Sequence, residues 1–119
     1  DQGLDSTPYI MQSNGGVTTV EGARNNPIAL VESGPASGVL GAAALGRAIG
    51  EPNLIALDIG GTTAKTALIR DGQARITTDY KIEWDRDNPG YPIRTPVVDL
   101  VEIGNGGGSI AWVDKGGRL

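Results

Sequence analysis

The sequence has no cysteine, no histidine and no phenylalanine among its 119 residues. Without cysteine there is no disulfide framework and no thiol nucleophile, and redox chemistry says nothing about the compartment. Without histidine the usual general base and the commonest metal ligand are missing. A Ser-His-Asp triad and an ordinary structural zinc site are therefore excluded within this chain. Basic residues are few: 10 Lys and Arg against 14 Asp and Glu leave a net charge of −4. That balance offers no footing for nucleic acid. No apolar run reaches the ~18–20 residues of a membrane-spanning helix, so no membrane partner is expected. The first residues carry no basic segment followed by an apolar core, the mark of a signal peptide.

What the chain has instead is glycine, 19 residues of it, without the Gly-X-Y period of collagen. The glycines cluster at Gly15-Gly16, at Gly34, Gly38 and Gly41, at Gly60-Gly61, over 104–108, and at Gly116-Gly117. Each cluster lies beside a strand-like or helix-like segment. The pattern reads as a scaffold of tight turns and close backbone approaches.

Residues 1–8 are polar and read as a frayed end. Tyr9-Ile10-Met11-Gln12 and Val17-Thr18-Thr19-Val20 flank the turn signal Ser13-Asn14-Gly15-Gly16, so a hairpin is expected. Residues 21–27 read as a loop and 28–31 as a short strand or an extended lead-in. One segment reads as a full helix. Ser33 serves as its N-cap, Pro35 sits in its first turn, and Gly50 closes it. Its expected inward stripe is Gly38, Ala42, Leu45 and Ile49. Residues 54–58 are near-continuously apolar, which suits a central strand buried on both faces. Residues 64–70 pair back to it, Asp71-Gly72 is a two-residue hairpin signal, and 73–80 returns as a third strand. Residues 81–96 carry mixed charge with Pro89, Pro92 and Pro96, and read as a long irregular loop anchored by Trp84 and Tyr91. Strand-like segments at 97–103 and 110–114 enclose Gly104-Asn105-Gly106-Gly107-Gly108-Ser109.

The run Leu57-Asp58-Ile59-Gly60-Gly61-Thr62-Thr63 carries the chemistry. An apolar strand ends on a carboxylate, turns through Gly-Gly-Thr-Thr, and leads into a second strand. Glycines let the backbone approach closely, and successive N–H groups of a turn can converge on an anion. The threonine hydroxyls add donors. Asp58 can hold a hydrated Mg²⁺, which prefers one or two carboxylates plus phosphate oxygens. An ordinary glycine hairpin has the same residue types, and both readings stand at this point. The loop 104–109 has phosphate-cradling composition, yet no Gly-Lys-Ser/Thr follows, so it is not a P-loop. Its glycine spacing also fails the dinucleotide fingerprint.

Four segments occur in series: Met11-Gln12-Ser13-Asn14-Gly15-Gly16, Glu32-Ser33-Gly34-Pro35-Ala36-Ser37-Gly38-Val39, Leu57 to Thr63, and Gly106-Gly107-Gly108-Ser109-Ile110-Ala111-Trp112-Val113-Asp114. In this order they resemble the central part of the large ATP-dependent subunit of the hydantoinase A / 5-oxoprolinase / acetone carboxylase family. The resemblance covers the chain from Tyr9 onward. It implies an α/β fold: a fragment of a ribonuclease-H-like lobe of the actin-like ATPase superfamily, a mixed sheet of hairpins with one main helix. Residues 1–119 would be a single partial domain from the second lobe of a longer chain. The implied activity is Mg-ATP-dependent opening of a cyclic amide such as a hydantoin or 5-oxoproline, with ATP and Mg²⁺ as cofactors. Related carboxylases activate a ketone by phosphorylation.

By the resemblance Asp58 would be the catalytic and metal-binding carboxylate. Gly60, Gly61, Thr62 and Thr63 would hold phosphates, with Gly106, Gly107, Gly108 and Ser109 as a second phosphate or substrate loop. The implied partners are the nucleotide, a small cyclic amide, the remaining parts of the parent chain, and a second hydantoinase-type subunit. A cytoplasmic location is expected, and the isolated segment is expected to be inactive. Lys65 departs from the family pattern, which often has Asp there. A sugar-kinase or other actin-like ATPase lobe, or a non-catalytic glycine-rich binding module, are the competing readings.

Overall fold

The computed structural model describes Gly3 and residues 6–118. The frayed end expected at 1–8 falls in part outside the described residues. A first hairpin pairs β1 (Tyr9–Met11) with β2 (Val17–Thr19) in antiparallel register, Ile10 opposite Thr18. Its Ser13 turn is structural. Ser13 is buried, its hydroxyl donates to Ala29 O at 2.7 Å, and its carbonyl accepts from Val98 N at 2.8 Å.

A short helix α1 (Val20–Asn25) follows directly, where the sequence suggested a loop. Thr19 caps it through a hydrogen bond from Gly22 N to the Thr19 hydroxyl, 3.1 Å long. A 3₁₀ turn over Pro27–Leu30 leads to the long helix α2 (Ser33–Ile49). Pro35 lies in the first turn, and Gly50 ends the helix at φ 80°, the left-handed conformation that glycine adopts freely. Ser33 is the first helical residue rather than the cap. Glu32 holds the cap position, at φ 63°.

The inward face of α2 differs from the expected stripe. Ala36, Val39, Ala43 and Gly46 are buried, whereas Gly38, Leu45 and Ile49 are exposed and Ala42 is half-buried. Both sets have helical spacing, so periodicity alone could not choose between them. Tertiary packing selects the set with the smaller side chains, which brings the helix close to the sheet.

That sheet has the order β10-β4-β3, built from β3 (Leu54–Ile59), β4 (Ala64–Arg70) and, at the far end of the chain, β10 (Val101–Ile103); β5 (Gln73–Ala74) adds to one end of β4. All pairings are antiparallel. The middle strand is β4, so β3 is an edge among the described residues, a correction to the central strand expected from its apolar run. One face of β3 is covered by α2. The other exposes Ile55, Leu57 and Ile59, beside Leu68, Val101 and Ile103 of its neighbours. The core under α2 comprises Ala36, Val39, Ala43, Ala67, Ile69 and Val98. Half of these are alanines, so the ~1.5–3 kcal/mol of a buried Val or Ile is available at few positions.

The expected third strand breaks into β5 and β6 (Ile76–Thr77), and β6 leaves the sheet to pair with β9 (Val97–Val98). The segment 81–96 is not wholly irregular. Its ends form an antiparallel ribbon of β7 (Tyr80–Ile82) and β8 (Tyr91–Ile93), with an irregular connection over 83–90. Pro92 faces Lys81 in that ribbon. A proline is tolerated there because a two-stranded ribbon consists of edges and only alternate pairs share hydrogen bonds. Residues 110–114 form no strand and their side chains are largely exposed. No described helix is long and apolar enough to cross a membrane.

Candidate functional site

Antiparallel pairing of β3 with β4 places Asp58 directly opposite Lys65, on the sheet face that carries Leu54 and Ala56 towards α2. Pairing of β4 with β10 places Glu102 on the other side of Lys65. Three charged residues from three strands thus share one row across the sheet.

The connection between β3 and β4 is the Gly60-Gly61-Thr62-Thr63 turn. It closes through Gly60 N to Thr63 O, 2.9 Å. The N–H groups of Gly61, Thr62 and Thr63 have no acceptor among the described residues. Gly60, Gly61 and Thr62 are exposed and Thr63 is half-buried.

The second glycine loop lies against this turn. Gly107 N donates to Gly60 O at 2.8 Å, and Ser109 N turns back to Gly106 O at 2.9 Å. Gly106 is buried at the contact. A Cβ there would stand 2.3 Å from Gly61 O and 2.7 Å from Thr62 N, so only glycine permits this approach. Gly107, Gly108 and Ser109 are exposed around it. The structure therefore brings together two segments separated by more than forty residues in the sequence. Together they present backbone N–H groups and hydroxyls along one edge of the sheet.

Asp58 is exposed and makes no ion pair among the described residues. No group of three or more acidic, histidine or cysteine side chains among the described residues is placed to hold a metal. One carboxylate beside free N–H donors nevertheless suits Mg²⁺, which usually keeps several waters and takes its remaining ligands from phosphate. A cavity of about 370 Å³ runs beside Asp58 between α2 and β3, with Pro35, Gly38 and Ala42 on one wall and Lys65 at its polar end. It does not include the glycine turn.

Lys65 is the hub of a cluster that the sequence did not reveal. Its Nζ lies 3.4 Å from Glu32 Oε2 and 3.1 Å from Glu102 Oε1, and donates to Thr63 Oγ1 at 3.3 Å. The Tyr80 hydroxyl donates to the other Glu32 oxygen at 3.0 Å. Glu32 sits in the left-handed region, where a residue with a Cβ costs on the order of 1 kcal/mol. Its two side-chain bonds hold it there. Glu32 opens one of the recognisable segments, but Glu102 reaches Lys65, and Tyr80 reaches Glu32, only through long-range packing, which no local pattern encodes.

Burial alone would lower the Lys65 pKa. The Glu102 and Glu32 carboxylates outweigh it and hold the ammonium above its ordinary value. Burial, and then the hydrogen bond to Glu32, push the Tyr80 phenol well above its ordinary value. Both groups are thus favoured in their protonated forms by folding. Each contributes stability that is complete below its unfolded pKa, near 10, and is lost as pH rises through the raised folded value. The urea midpoint is expected to hold below about pH 10 and to fall as pH rises above it, and Tyr80→Phe to flatten part of that decline. An identical slope in wild type and variant would contradict the Tyr80 contribution.

The whole of residues 1–119 matches the hydantoinase/oxoprolinase family profile. An uncharacterised protein of Methanocaldococcus jannaschii is 37% identical over 125 aligned residues, covering 100% of this chain and 18% of that protein. The caprolactamase subunit alpha of Pseudomonas jessenii is 32% identical, covering 98% of this chain and 16% of its own length. A nucleotide-free acetone carboxylase structure, solved for the mechanism of ATP-dependent acetone carboxylation, superposes with a TM-score of 0.75 at 30% identity. That match covers 98% of this chain and 15% of the other. The chain thus spans less than a fifth of the length of each of these proteins.

Proposed function

Because the chain belongs to the hydantoinase/oxoprolinase family, we propose that it supplies one wall of the nucleotide site in an ATP-dependent enzyme that opens a cyclic amide. The observation that carries this reading is the contact of Gly106 and Gly107 with the 60–63 turn. The turn carries three N–H groups with no acceptor among the described residues and two threonine hydroxyls, and it begins two residues after the exposed Asp58. Asp58 would hold a hydrated Mg²⁺ through its carboxylate. Gly61, Thr62 and Thr63 direct N–H and O–H donors at phosphate oxygens, and Gly106, Gly107, Gly108 and Ser109 extend the cradle. Bound ATP would supply a phosphoryl group to the amide oxygen, which activates the carbonyl carbon so that water adds, the ring C–N bond breaks with the amine leaving, and a second water releases inorganic phosphate. The chain's own share is positioning and charge neutralisation, which need neither histidine nor cysteine.

In this reading residues 1–119 are part of the second ribonuclease-H-like lobe of a longer chain. The uncovered face of Ile55, Leu57 and Ile59 packs on other parts of that chain. A relative named as an alpha subunit supports a second hydantoinase-type subunit as partner. A relative named caprolactamase supports a cyclic amide as substrate. The likeness to acetone carboxylase favours a second reading, activation of a ketone.

Substrate-dependent ATP consumption separates the two. The purified full-length protein with its partner subunit is incubated with Mg-ATP and either hydantoin, 5-oxoproline and caprolactam, or acetone with bicarbonate. Phosphate release stimulated by a cyclic amide, with the ring-opened acid as product, is expected. Release stimulated only by the ketone with bicarbonate would overturn the hydrolase reading.

A further inference from the structure

The feature that the proposed site does not use is the clamp around Lys65. Two carboxylates from different elements, Glu32 before α2 and Glu102 on β10, hold one ammonium. Tyr80 fixes Glu32 in turn. The Lys65 and Glu32 side chains are only 16% and 17% exposed, so screening by water is reduced. The ammonium does not face a carboxylate alone. It donates to Thr63 Oγ1, a hydroxyl of the glycine turn.

That direction of donation has a consequence. A hydroxyl has one proton and two lone pairs. When Lys65 occupies a lone pair of Thr63, the Thr63 proton is left to donate elsewhere. A cationic donor also polarises the hydroxyl and strengthens the bond it donates. Asp58, Glu32 and Glu102 set three negative charges against Lys65 around this corner. An anion bound at the turn therefore benefits from any positive charge held near it.

We propose that Lys65 is a positioning residue for a bound phosphoryl group, clamped by Glu32 and Glu102 so that its ammonium orients and polarises the Thr63 hydroxyl towards the anion. The inference rests on the reading of the 60–63 turn as a phosphate site. Lys65 acts through Thr63, so their effects on the anion are coupled and do not add.

A double-mutant cycle on the full-length protein tests this, with Mg-ATP as the probe and calorimetric affinity as the readout. Lys65→Met and Thr63→Val are each expected to weaken Mg-ATP about 10-fold, a typical loss for a charge-assisted hydrogen bond. Together they are expected to weaken it only about 10- to 20-fold, because one route has been broken twice. Lys65→Arg retains the charge and stays within about 3-fold of wild type. Glu102→Gln loosens one side of the clamp while Glu32 still holds the ammonium, so it is expected to weaken Mg-ATP by about 2- to 5-fold, less than Lys65→Met. Lys65→Met leaves two carboxylates facing one another. Lys65→Met with Glu102→Gln removes that repulsion and keeps the test usable if the single variant unfolds.

Additive losses near 100-fold, or a Lys65→Met effect within 2-fold, would overturn the inference while the phosphate site stands. A Thr63→Val variant that binds Mg-ATP as wild type does would overturn both.

Discussion

Asp58→Ala in the full-length protein is expected to lower ATP-dependent turnover by roughly 100- to 1,000-fold, the usual loss when one preorganised electrostatic group is removed. Asp58 is exposed and unpaired among the described residues, so its removal takes little from the fold. Surface substitutions of this kind change stability by about 0.5 kcal/mol or less. The two effects therefore separate: activity collapses while the urea midpoint hardly moves. Asp58→Asn keeps the shape and loses the charge, and it is expected to fail almost as fully, because a carboxylate rather than an amide suits Mg²⁺. Steady-state phosphate release across a magnesium titration checks this. A variant that regains wild-type turnover at high magnesium would reduce Asp58 to a weak ligand. A variant with unchanged turnover throughout would remove it from the site.

Gly106→Ala should have the second large effect, and by a different route. The added Cβ meets backbone atoms, Gly61 O at 2.3 Å and Thr62 N at 2.7 Å, which cannot rotate away as a side chain would. The loop and the turn must separate, and the Gly107 N to Gly60 O bond is strained or lost. Overpacking of this sort costs about 1–3 kcal/mol. On the proposed reading the larger effect falls on ligand affinity, because the turn and the loop would no longer converge. Gly108→Ala is the matched control. Nothing lies within 4 Å of its Cβ position, so the fold has room for it. Gly106→Ala is expected to weaken nucleotide at least 10-fold and to lower the melting temperature by several degrees. Gly108→Ala should leave the melting temperature in place.

The order of elements was legible where the signals were local. Ser13-Asn14-Gly15-Gly16 between two β-branched stretches marked the first hairpin, and the 60–63 turn marked the β3–β4 hairpin. Gly50 marked the end of α2. Signals that depend on partners misled. Continuous apolar character in β3 suggested a strand with neighbours on both sides, yet β4 is its one partner among the described residues. Two stripes on α2 had equal claims by spacing, and the sheet chose the one with alanines. Val97 and Val98 read only as the start of a strand-like segment, yet they are among the most buried residues, because Ser13 and β6 close over them.

For the site, composition picked out both glycine segments but not their meeting. That contact depends on β10 returning beside β4, a pairing across thirty-five or more residues. The same return delivers Glu102 to Lys65, and the β7–β8 ribbon delivers Tyr80 to Glu32. Lys65 stood out only as a departure from a family pattern. Its clamp was invisible because each partner comes from a different element.

On the proposed reading the glycine turn and the glycine loop form one phosphate cradle. Calorimetric titration of Mg-ATP into the full-length protein, wild type against Gly106→Ala, tests it most directly. At least a 10-fold loss of affinity is expected in a variant that remains folded by circular dichroism. Wild-type affinity in that folded variant would contradict it.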